Sequence, residues 1–163
     1  MLALLLLVTL TGCLGVESVL SPAPDVTVEN RANVSFEVTA TTVHTDGPVG
    51  ETRLELTHQN GSKEELAFRE YAVGNDFAVP PNVTGIEVIE SSSTSWVTEL
   101  DPGETTSTEL GDWQSNDLVL VTWTRLDTGT VTKVTTIPCR TSGVEYHGHV
   151  SSARGSGGAF TGC

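Results

Sequence analysis

The stretch Asp117-Leu-Val-Leu-Val-Thr-Trp-Thr-Arg-Leu126, followed by Asp127-Thr128-Gly129 and Val131-Thr-Lys-Val-Thr-Thr-Ile137, decides the fold class. Two runs rich in β-branched and aromatic residues flank a cluster of turn formers, which is the pattern of a β-hairpin. Leu118-Val119-Leu120-Val121 is apolar at every position, and successive side chains of a strand point to opposite faces. The strand is therefore expected at the centre of a sheet packed from both sides. With Gly129 closing a three-residue loop, Trp123 faces Lys133 across the pair. Either a cation–π contact or ordinary cross-strand packing then joins them.

The same grammar extends outward. Short runs of Val, Thr, Ile and Phe alternate with Gly, Pro, Asn and Asp clusters from Asp25 onward, and no stretch keeps a helical period. The strand candidates are Asp25–Glu29, Val34–Val43, Glu51–His58, Glu64–Tyr71, Thr84–Ile89, Trp96–Leu100, Thr105–Leu110, Asp117–Leu126, Val131–Ile137 and Val144–Val150. One hairpin can be argued in register. Leu54 and Leu56 share one face of their strand, and Leu66 and Phe68 share one face of the next. A two-residue Asn60-Gly61 loop pairs Leu56 with Glu65 and sets the apolar faces on opposite sides. A three-residue loop with left-handed Gly61 pairs Leu54 with Leu66 and aligns them, so this loop and its bulge are expected.

Leu100-Asp101-Pro102-Gly103-Glu104 is a type II turn by composition, with Pro presetting φ and Gly supplying the positive φ. A Leu-x-Pro-Gly-Glu stretch before a Thr-rich strand resembles the inter-sheet crossing of immunoglobulin-like and fibronectin-type extracellular domains. The resemblance covers about ten residues, and the Cys–Trp–Cys spacing of true immunoglobulin domains is absent. The strand pattern itself reads as all-β, and the resemblance implies a single immunoglobulin-like antiparallel β-sandwich over residues 25–150. Residues 151–163 read as a Gly- and Ser-rich tail, floppy unless closed by Cys163.

At the other end, the apolar and small-residue run Leu2–Leu10 closes on Leu10-Thr11-Gly12-Cys13. These four residues look like a lipobox, where a signal peptide is removed and the new N-terminal cysteine is lipidated. The run falls well short of the roughly 20 residues of a transmembrane helix. Gly12 and Gly15 interrupt it as a core helix. Residues 1–12 are then a signal peptide, although no Lys or Arg precedes Arg31 to form the usual basic start. An upstream start, with a twin-arginine signal, would account for this. Residues 13–24 become the lipidated cysteine and a Pro-containing tether, ending in Ser21-Pro22-Ala23-Pro24. At about 3.1 Å per residue it lifts the domain roughly 25–30 Å off the bilayer. Assigning Cys13 to lipid leaves Cys139 and Cys163, read as one disulfide contributing about 3.5 kcal/mol in the loop-entropy model. Free or metal-bound thiols are the alternative.

Eight Lys and Arg stand against 21 Asp and Glu, a net charge of −13, and the only lysines are Lys63 and Lys133. Such a surface repels phosphate backbones, which excludes nucleic acid as a partner. The carboxylates are spread along the chain, which fits hydration in high salt better than a cation-binding block. With the lipobox and the Thr richness, the composition resembles exported lipoproteins of halophilic archaea. That resemblance implies a location on the extracellular face of the cell membrane, anchored to the bilayer through Cys13. It implies no catalytic residue.

Chemistry-bearing motifs are few. His147-Gly148-His149 places two imidazoles on one strand face, the pair on which a copper-type metal-binding alternative rests, but no third ligand has a recognisable spacing. No nucleophile elbow or phosphate loop appears, and Glu64 and Glu65 point to opposite faces of a strand. The expectation is a non-enzymatic binding, accessory or adhesive module without a cofactor, whose protein or solute ligand is unknown. Three sequons, at Asn33, Asn60 and Asn82, are candidate glycosylation sites on an exported chain.

Overall fold

The structure is a computed structural model that describes residues 23–45, 47–74, 76–90, 92–111, 113–114, 117–137 and 144–162. In chain order its strands are β1 (Asp25–Asn30), β2 (Phe36–Val43), β3 (Arg53–His58), β4 (Lys63–Ala67) and β5 (Ala72–Val73). They continue with β6 (Asp76–Phe77), β7 (Val83–Val88), β8 (Ser92–Leu100) and β9 (Thr105–Glu109). The last four are β10 (Leu118–Arg125), β11 (Val131–Ile137), β12 (Glu145–Val150) and β13 (Gly157–Gly162). Two short 3₁₀ turns, Val49–Glu51 and Phe68–Glu70, complete the regular structure of the described residues. The fold is an immunoglobulin-like antiparallel β-sandwich: the strand grammar predicts the all-β class, and the resemblance at Leu100–Glu104 predicts the immunoglobulin-like sandwich.

The described residues form three sheets, ordered β13-β12-β1-β9, β5-β6-β11-β10-β2-β8 and β4-β3-β7. The first two make the sandwich, and the third covers part of the central sheet's other face. The apolar run in β10 is the reason. Val119, Val121 and Trp123 join Val26, Val28, Phe36, Val38 and Tyr146 in one core. Leu118 and Leu120, from the alternate face, join Leu54, Leu56, Leu66, Phe77 and Val134 in a second core. One strand thus serves two interfaces, because strand side chains alternate by face. Among the described residues the ladders are antiparallel except β1–β12, which is parallel and draws β1 onto the C-terminal part of the chain.

The β3–β4 hairpin has the expected register. Leu54 pairs with Leu66, and Gly61, at φ 79°, closes the loop. His58 N–H donates to Ser62 O, and Gly61 N–H donates to His58 O. The β10–β11 hairpin reaches the expected Trp123–Lys133 pairing by a different route. Arg125 N–H donates to Thr130 O, so the loop holds four residues, Leu126–Gly129. The register shifts between Trp123 and Thr124, leaving Thr132 as a bulge that restores the pairing and turns Val131 into the second core. The Lys133 amine donates to His149 O at 3.2 Å and Gly158 O at 3.0 Å. It therefore ties the central sheet to the first, and the two residues are cross-strand neighbours with the amine's hydrogen bonds made elsewhere.

Two further differences have local causes. The strand read over Glu64–Tyr71 stops at Ala67, where Glu70 Oε1 accepts from Ala67 N–H at 2.9 Å and closes a 3₁₀ turn that still buries Phe68. Gly157–Gly162, read as part of the tail, is β13. Its ladder to β12 runs from Glu145–Gly162 to Val150–Gly157, so backbone pairing orders a segment whose composition signals flexibility. A Cβ on Gly157 would stand 2.0 Å from His149 O, which shows how closely the two chains approach and why glycine is required.

The turn after β8 is type II. Gly103 has φ 85° and Glu104 N–H donates to Asp101 O at 3.0 Å. Asn30, fully buried at the end of β1, clamps it. Its Nδ2 donates to Val34 O and Leu100 O, and its Oδ1 accepts from Ala32 N–H. Its own carbonyl accepts from Gly103 N–H.

Candidate functional site

The outer face of the first sheet carries the two histidines. His147 pairs with Thr27 and Phe160, and His149 with Glu29 and Gly158, while Gly148 between them turns inward beneath the Tyr146 ring. Partial burial, with the positive charges of Arg31 and Lys133, pushes the His149 imidazole below its ordinary pKa. The hydrogen bond from Arg31 holds the Glu29 carboxyl below its usual range. The imidazoles share a face, as the alternation required. Among the described residues no group of three or more His, Cys, Asp or Glu side chains is gathered to hold a metal.

A cleft opens where the third sheet stops short of covering the central one. Its floor is threonine: Thr39 and Thr41 of β2, with Thr122 and Thr124 of β10. Its wall is β7, through Ile86 and Glu87. Two adjoining cavities of about 370 and 220 Å³ share Thr39, Thr41, Thr122, Ile86 and Glu87. The chemistry is that of hydroxyls beside a short apolar wall and carboxylates, suited to a polar, uncharged or cationic ligand. Among the described residues β7 is the edge of its sheet, so the cleft also borders a strand edge that no described strand pairs. A signal for it was present in the sequence. Along one face β10 changes from Leu118 and Leu120 to Thr122 and Thr124, which marks where apolar cover ends.

The three sequons gather at one pole. β1 runs from Asp25 to Asn30, and Asn33 follows its far end. Leu126 N–H donates to Ser35 O, joining that loop to the β10–β11 turn. Gln59 Nε2 donates to Thr130 Oγ1 at 3.4 Å, and Gln59 N–H to Asn82 O at 2.8 Å. Asn33, Asn60 and Asn82 therefore lie opposite the end at which β1 begins, and all three are exposed.

The chain over residues 1–163 matches the model of a family described as halobacterial Ig domain protein. The chain belongs to that family. No curated protein and no solved structure matches it. Membership of the halobacterial Ig domain family agrees with the strand topology and with the acidic, Lys-poor composition, and it points to a non-catalytic module. Cys13, Cys139 and Cys163, on which the expected lipid anchor and the expected disulfide rest, lie outside the described residues. Reasoning from sequence missed the Lys133 tie between sheets, because a lysine in a Thr-rich strand reads as exposed.

Proposed function

We propose that this halobacterial Ig domain is a lipid-anchored, non-catalytic binding module on the extracellular face of the cell membrane, held there through Cys13. The threonine-lined cleft is the surface that meets its solute or protein ligand. The observation that carries the reading is Leu10-Thr11-Gly12-Cys13, set a short Pro-containing tether ahead of β1. A net charge of −13 supports an outward, high-salt environment. The pole that carries the sequons is the one turned away from the tether. The copper-type alternative has the His147–His149 pair, and among the described residues no third ligand joins it.

Intact-mass analysis of protein extracted from the membranes of a halophilic host tests this. The expected mature chain begins at a lipid-modified Cys13. Cys13→Ser should abolish the modification and release the protein from the membrane fraction. An unmodified soluble chain that retains Met1 overturns the anchor and the localisation together.

A further inference from the structure

We propose that Asn60, alone of the three sequon asparagines, is the acceptor of an N-linked glycan. The inference rests on export, as argued above, and goes beyond it by separating three motifs that are equivalent in sequence.

Modification at Asn-x-Ser/Thr needs an accessible asparagine amide and a hydroxyl two residues on that can engage it. At Asn60 both are assembled. Asn60 Oδ1 accepts from Ser62 N–H at 2.9 Å and from Ser62 Oγ–H at 2.7 Å. Two donors on the amide oxygen draw electron density from the amide and make its N–H more acidic, while Nδ2 is left pointing free of them. Gly61, at φ 79°, allows the tight turn that brings Ser62 back. The unit sits at an exposed hairpin tip, so a transferase can engage it without opening a ladder. The depression beside it, about 350 Å³ and lined by His58, Gln59, Ser62 and Pro81, gives the first sugar a seat.

The other two sequons have their hydroxyls directed elsewhere. Ser35 Oγ donates to Asp101 Oδ1 at 2.6 Å, which locks it onto the Pro-Gly turn and away from Asn33. Thr84 Oγ1 donates to Thr57 O at 3.2 Å across the β3–β7 ladder. Asn82 is itself the only described non-glycine residue with a positive φ, 65°, and its carbonyl accepts from Gln59 N–H. Engaging Asn82 would require peeling β7 from β3. Asn82 also lines the same depression as Asn60, so a glycan on Asn60 covers it.

The donor is a glycan on a lipid phosphate, presented by a membrane-bound transferase. Asn60 Nδ2 attacks C1 of the first sugar, and the Nδ2–C1 bond forms. The C1–O bond to phosphate breaks with its electron pair leaving on the phosphate oxygen, and the amide proton passes to a carboxylate of the transferase.

The test is intact-mass and peptide mass spectrometry of the full chain from a glycosylating halophilic host, with surface biotinylation of whole cells as a parallel readout. Wild type, Asn33→Gln and Asn82→Gln should carry one saccharide chain, mapped to the peptide containing Asn60. Asn60→Gln and Ser62→Ala should both lose it, and Ser62→Ala does so with the acceptor and the exposed loop still present. An unmodified Asn60 in wild type, or a glycan that survives either loss variant, overturns the proposal. Biotinylated but unmodified protein means that this inference alone has failed. Unmodified protein that escapes biotin means that export has failed as well.

Discussion

Replacing Asn30 by Ala tests whether one buried amide holds the Pro-Gly turn against the end of β1. The side chain is fully buried and makes three hydrogen bonds: to Val34 O at 2.8 Å, to Leu100 O at 3.0 Å and from Ala32 N–H at 3.0 Å. Asn30→Ala leaves Leu100 O and Ala32 N–H unsatisfied in a buried setting, at about 1–2 kcal/mol each. The Val34 bond is only partly buried, so water recovers much of it and its loss costs roughly 0.5 kcal/mol. The sum is about 2.5–4.5 kcal/mol, a large share of the roughly 5–15 kcal/mol that a domain possesses. Tm should fall by roughly 10 °C, at about 2–4 °C per kcal/mol for a chain of this size. Asn30→Asp keeps the shape and the acceptor for Ala32 but turns a carboxylate oxygen toward two carbonyls. It should cost at least as much near neutral pH and recover in acid, where the protonated carboxyl can donate. Thermal and denaturant melts of the soluble domain in molar salt provide the assay. A loss below about 1 kcal/mol for Asn30→Ala, or an Asn30→Asp protein as stable as wild type at neutral pH, would refute the assignment.

Three other substitutions probe the interface between the first and central sheets. Gly148→Ala puts a Cβ 2.4 Å from Tyr146 Oη and 2.7 Å from two ring carbons, so overpacking should cost about 1–3 kcal/mol by denaturant midpoint; a neutral outcome would mean that the ring is free to move. Burial lowers the Lys133 pKa, so between its folded value and the ordinary 10.5 the unfolded chain binds more protons and stability rises with pH. Lys133→Met should flatten that alkaline rise in midpoints measured against pH, and an unchanged slope would rule the amine out as its source. The Tyr146 hydroxyl lies beside Thr135 and Trp123 but has no partner within hydrogen-bonding geometry among the described residues, and burial pushes its pKa up to about 12. Tyr146→Phe should therefore be near neutral at pH 7 and should remove the loss of stability that begins above about pH 10, where only the unfolded chain ionises. A large loss at pH 7 would show that the hydroxyl has a native partner.

Local pattern carried much of the fold. The unbroken Leu118–Val121 run required a strand covered on both faces, and the two cores show that cover. The shared parity of Leu54, Leu56 and Leu66 required the three-residue loop at Gly61, because a one-residue slip would have turned either strand inside out. Pro102 and Gly103 specified their turn through φ alone. The candidate sites were only partly legible. Equal-looking sequons differ in where Ser35, Ser62 and Thr84 send their hydroxyls, and the partners Asp101 and Thr57 are distant in the chain.

By itself the sequence determined the all-β class, most strand positions, two turns and the acidic character of the chain. Each of these follows from side-chain alternation, restricted φ or summed charge, which act over a few residues or over none in particular. Only the tertiary structure decided that Gly157–Gly162 is a strand, that Lys133 joins two sheets, and that a threonine-lined cleft lies beside β7. Those outcomes depend on which backbone groups and which faces meet across long sequence separations. Glycine-rich composition or a lone lysine leaves that choice open until the partner strand arrives.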